Sequence, residues 1–172
     1  YHFVSKTSRF SEEYQKRTRD IEYHSNLNYI RKWGTKARGG DIKKYNIGLA
    51  IEGVPDGKGG FHCVRTLEPY VSNLYVDSES SIKDFIEEEQ KHTKYDLSER
   101  VSLLPISMDK MNDTLVTAKY EDFTKDVNGN LKFIQHLPNI LSDSGEVGEM
   151  EYGCFKLNIR KLNTYEDKLI HL

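Results

Sequence analysis

The chain has 172 residues, 25 Lys/Arg against 27 Asp/Glu, a formal charge of −2, 37% apolar and 11% aromatic content. That length predicts a single domain spanning 1–172 with a proper core. No run approaches 18 apolar residues, which excludes a membrane-spanning helix and leaves no membrane among the expected partners. Two cysteines, Cys63 and Cys154, exclude a disulfide-rich scaffold and a structural zinc site of ordinary spacing, and favour an intracellular chain over a secreted one. With only Ala37, Ala50 and Ala118 as alanines, core volume must come from larger side chains.

Taken in chain order, the first expected element is helical. Phe10, Tyr14 and Ile21 share one face at 100° per residue, whereas Tyr23, Leu27 and Ile30 fall nearly opposite. An uninterrupted amphipathic helix keeps one stripe, so the pattern predicts a helix over 12–22, a break near 24–28 and a short second turn ending at Gly34. Tyr45–Glu52 alternates strictly and reads as a half-buried strand. The segment GVPDGKGG (53–60) reads as a hairpin connection to strands at 61–67 and 70–76.

A second helix is expected near 79–94, with Asp77 or Ser78 as its cap and Ile82, Phe85 and Ile86 as its stripe. Val101–Ile106 reads as a short buried strand. Strands at 114–123 and 131–136 flank Asn128-Gly129, a hairpin signal. Met150–Leu162 closes the chain as a strand with a bulge at Gly153. The fold class expected from this pattern is α+β, a largely antiparallel sheet of about six strands with an N-terminal helical segment and one further helix near 79–94.

Chemical motifs are sparse. The glycine-rich segment 53–60 contains Lys58, but its spacing departs from a phosphate-binding loop, no hydroxyl follows the lysine, and a strand is expected after it. The six histidines are scattered without metal-ligand spacing, and no serine lies in a nucleophile-elbow context. The reading therefore assigns no catalytic residue, no metal and no cofactor, and leans away from an enzyme.

Charge is distributed unevenly. Residues 1–46 carry 11 Lys/Arg against 5 Asp/Glu, and residues 47–172 carry 14 against 22. Between Tyr29 and Asn46, Arg31, Lys32, Lys36, Arg38, Lys43 and Lys44 stand against one acid, Asp41, interleaved with Trp33 and Tyr45. Lysine and arginine neutralise phosphates, and aromatic faces stack on unpaired bases. The leading expectation is a non-enzymatic binding protein contacting nucleic acid such as RNA through Arg31, Lys32, Trp33, Lys36, Arg38, Lys43, Lys44 and Tyr45. The alternative is a protein-interaction module, an accessory, inhibitor or assembly subunit, acting through its acidic surface or a sheet edge.

Overall fold

The computed structural model describes residues 8–34, 44–107, 109 and 111–162. The elements run α1 (Ser8–Trp33), β1 (Ile47–Glu52), α2 (Lys58–Leu67), β2 (Asn73–Val76), α3 (Glu79–Glu89), α4 (Leu97–Arg100), β3 (Val101–Leu103), β4 (Thr114–Lys119), α5 (Tyr120–Phe123), α6 (Val127–Ser144), β5 (Gly148–Tyr152) and β6 (Phe155–Ile159). The chain is α+β around one six-stranded sheet of order β3-β2-β1-β4-β6-β5. No helix among the described residues is long and apolar enough to cross a membrane.

The sheet is mixed rather than largely antiparallel. β3, β2, β1 and β4 run parallel, and β6 is antiparallel to both of its neighbours, β4 and β5. The expectation failed because two short apolar runs form helices instead of strands. In 61–67, Cys63, Val64 and Leu67 gather on one buried helical face, and in 131–136 Phe133 and Ile134 continue with Leu137 and Leu141. Asn128-Gly129 lies in the first turn of α6, where Asp126 caps the helix through the Gly129 N–H, and Gly153 lies in the tight β5–β6 turn rather than at a bulge.

The registers separate the two faces of the sheet. Val101, Leu74, Leu49, Val116, Leu157 and Met150 form one continuous apolar row across all six strands. Leu67 and Val64 of α2, Phe85 of α3, and Ile134 and Leu137 of α6 pack against it as the core. The neighbouring row on the other face reads Ser102, Tyr75, Ala50, Thr117, Lys156 and Glu151.

β1 is therefore not half-buried as its alternation suggested. Ile47 through Ile51 are all buried, and the alternation is of large against small side chains. Parallel strands are normally covered on both faces. At Gly48 the cover is close: a Cβ there would lie 2.1 Å from Asn112 Oδ1.

α1 is one uninterrupted helix, without the expected break. Leu27, Ile30 and Arg31 attach it to the body, while Tyr14 and Ile21 on the opposed stripe are exposed. Two stripes coexist on one helix because only its C-terminal part meets the core.

Candidate functional site

The parallel strands define two edges of the sheet, and both carry polar clusters. Chain order reverses at β1: the chain steps outward to β2 and β3, then returns to β1's other side as β4. In open sheets of this kind the loops after neighbouring strands diverge at the reversal. They leave a crevice outside the carboxyl ends, where ligands bind.

At this carboxyl edge β1 delivers Glu52 and the glycine-rich segment, β2 delivers Asp77, and β4 delivers Lys119 and Tyr120. Two Asp77 carboxylate oxygens accept from the backbone N–H groups of Gly53 and Val54, at 2.7 and 2.9 Å. Asp56 accepts from the Ser78 and Ser80 hydroxyls at 2.6 and 2.8 Å, and these bonds hold its carboxyl below the ordinary range. Ser81 Oγ donates to the Pro55 carbonyl, and Gly60 sits so close that a Cβ would lie 1.9 Å from that oxygen. Gly57 has φ +88°, the region glycine adopts without strain, and opens α2 with no side-chain cap. The turn is thus pinned to the start of α3 by side chains, and the first amides of α2 have no side-chain partner of their own.

Beside this turn, a cleft of about 340 Å³ lies between the β1 and β4 ends and the β5–β6 turn. Glu52, Thr117, Lys119, Asp122, Cys154 and Lys156 line it. It presents two amines, two carboxylates and a half-buried thiol. Cys63 is different: it is on α2, facing the core, and burial pushes its thiol up to about 12, so it is an inert packing group. Among the described residues no cluster of three or more His, Cys, Asp or Glu side chains could hold a metal ion.

The described residues among those expected to contact nucleic acid belong to the amino edge. Arg31 is fully buried. Its Nε donates to both Glu68 carboxylate oxygens at 3.0 and 3.1 Å, and its terminal nitrogens reach Glu68 at 2.6 Å, Glu89 at 3.2 Å and Asn28 at 2.7 Å. Burial works to lower its pKa, but the bonds and charges of Glu68 and Glu89 outweigh burial and raise it. Arg100 Nε donates to the second Glu68 oxygen at 2.7 Å, so one buried carboxylate serves two guanidinium groups.

Lys44 donates to the Arg31 carbonyl, and burial and the Arg100 charge lower its pKa to about 8. Tyr45 is 6% exposed, within the core. Arg31, Lys44 and Tyr45 therefore have structural partners in this fold, where the sequence suggested free phosphate-binding and stacking groups. Lys32 and Trp33 remain partly exposed at the end of α1, the Lys32 amine 4.9 Å from the indole centroid. Lys36, Arg38 and Lys43 lie outside the described residues.

The same edge holds an asparagine cluster. Asn112 Nδ2 donates to Asn46 and Asn73 at 2.6 and 2.8 Å, and the Tyr75 hydroxyl donates to its oxygen at 3.1 Å. Asn112 is 5% exposed, so its match to a glycosylation acceptor pattern with Thr114 is not presented at the surface of the folded chain.

Sequence reasoning missed Asp77 as a loop anchor and Gly57 as a helix opener. The available signal was Phe61, Val64 and Leu67 at helical spacing just after the glycines. Comparison with known protein families, curated proteins and solved structures finds no match to this chain.

Proposed function

We propose that the chain binds a small ligand of the nucleoside or nucleotide class in the carboxyl-edge crevice between β1 and β4. The observation that carries this reading is the reversal of strand order at β1, with a glycine-rich turn after it and an acid, Asp77, at the end of the next strand. Sheets with this arrangement hold the ligand's charged part against the first helix's N-terminal amides. The acid after the second strand takes the ribose hydroxyls. Each Asp77 oxygen accepts one backbone bond and retains a further lone pair for a hydroxyl. Lys119 and Lys156 offer positive charge to an anionic tail, while Glu52 and Asp122 offer acceptors to base or amine groups.

Calorimetric titration with adenosine, guanosine and their mono- and triphosphates tests the reading. A ligand at about a hundredfold its Kd should raise the melting temperature by roughly 5–10 °C. Lys119→Ala should weaken binding while leaving the unliganded melting temperature within about a degree or two. No heat and no thermal shift with any of the panel would sink it.

A second reading keeps the basic segment as a nucleic-acid contact, supported by Lys32 and Trp33 at the end of α1, directly before Lys36 and Arg38. Lys32 and Trp33 lie at the edge opposite the crevice. Replacing Lys32, Lys36, Arg38 and Lys43 with Ala should flatten the salt dependence of oligonucleotide binding by about 3 units of slope. A wild-type protein that binds no labelled oligonucleotide at low salt excludes this reading.

A further inference from the structure

The two outer strands of the sheet are built differently. β3 has three residues, Val101–Leu103, with Pro105 two positions on. A short strand ending near a proline is one of the ways proteins blunt an edge. β5 has five residues, Gly148–Tyr152, contains no proline or lysine, and among the described residues pairs only with β6. Among the described residues no strand pairs with its outward backbone groups, a row of donors and acceptors able to take another strand.

The side chains around β5 say what kind of strand would fit. Glu149 and Glu151 share one face, and Glu146 precedes them. No Lys or Arg occurs between Ser144 and Cys154. The other face carries Met150 and Tyr152. Tyr152 stacks on Phe133 at 4.7 Å between centroids and is still 63% exposed, and Val147 beside it is 64% exposed. On the glutamate face an open groove of about 440 Å³, lined by Leu115, Thr117, Glu149, Glu151, Lys156 and Asn158, leaves room for long side chains. Lys156, opposite Glu151 in the register, offsets one of the three carboxylates.

We infer that β5 is a docking edge for an extended segment of another protein in which Lys or Arg alternates with apolar residues. Backbone pairing supplies the attachment. The register sets the basic residues over Glu149 and Glu151, and the apolar ones beside Met150 and Tyr152. The groove shares Thr117 and Lys156 with the crevice between β1 and β4, whereas the backbone edge of β5 and Glu149, Met150 and Glu151 lie outside that crevice.

The test uses the whole chain and a fluorescein-labelled hexapeptide, Lys-Val-Lys-Val-Lys-Val, followed by anisotropy at low salt. A second peptide of equal charge, Lys-Pro-Lys-Lys-Pro-Val, lacks an N–H donor on each of its two edges and cannot form the ladder. Hydrogen exchange with the first peptide should protect amides within 148–152, and the proline peptide should bind at least about tenfold more weakly. Glu149→Gln with Glu151→Gln, both exposed positions, should weaken the first peptide about fivefold with the fold unchanged. Equal binding of the two peptides, protection elsewhere in the sheet, or no binding at about 1 mM peptide would each overturn the inference.

Discussion

The two edges of the parallel sheet use polar residues in opposite ways. At the amino edge, polar groups turn inward: Arg31 and Arg100 share Glu68, and Asn112 ties together Asn46, Asn73 and Tyr75. At the carboxyl edge, Asp56, Asp77 and Ser80 are exposed and spend their side chains on a turn, and Lys119 stands free of the core. Formal charge is similar in kind at both edges. The difference is whether a partner from a distant part of the chain arrives to hold each group. A cluster satisfied internally has little left to offer a ligand, whereas one that shapes a turn leaves backbone amides and spare lone pairs facing solvent.

The largest expected effect breaks the amino edge. Glu68→Ala leaves two guanidinium groups without their shared carboxylate, one of them fully buried, and should cost about 3–5 kcal/mol in chemical denaturation. If the loss is under about 1 kcal/mol, the cluster is not the structural element described. Gly48→Ala comes next. Its Cβ would meet Asn112 Oδ1, and Asn112 is held by three hydrogen bonds, so it must abandon some of them, for about 2–4 kcal/mol.

Lys44 gives a smaller, pH-dependent effect. Its folded pKa is about 8, lowered by burial and by Arg100, whereas the unfolded side chain keeps its proton to about 10.4. Between those values the unfolded state binds more protons, so stability rises with pH across that window; below it the burial penalty is present in full. Wild-type stability relative to Lys44→Met should therefore climb by about 2 kcal/mol between pH 8 and 10.5, read from paired denaturation curves. A flat difference would mean that the amine is solvated.

The smallest effect sharpens the carboxyl edge. Asp77→Ala removes the acceptor of two backbone amides, one exposed and one partly buried, and should cost about 1–2 kcal/mol. It should nevertheless abolish measurable nucleoside binding if the crevice acts as proposed. A variant that binds unchanged would remove Asp77 from the site.

Much of the fold was legible, in particular places. The strand at Ile47–Glu52 and the helix capped by Ser78 were both readable, the first from alternation and the second from its stripe and cap. The hairpin expected at Asn128-Gly129 failed because Asp126 uses the following amides as a helix N-terminus, and a tight turn and a helix start favour the same residue types. The end of helical structure at Gly34 was legible, and Lys32 and Trp33 lie in that last turn, at the end of one continuous helix rather than of a separate short one. Arg31 was not distinguishable from Lys32 in sequence, because its partners Glu68 and Glu89 lie 37 and 58 positions away.

By itself the sequence determined composition, the asymmetry of charge and the local periodicities, since each depends on neighbours within a turn or a strand. Tertiary structure alone decided that β3, β2, β1 and β4 run parallel, that α1 attaches by one end, and that Arg31, Lys44 and Tyr45 turn inward. Those outcomes depend on which distant groups meet. A buried charge or a covered strand face is stable only when its partner is brought to it by the rest of the fold.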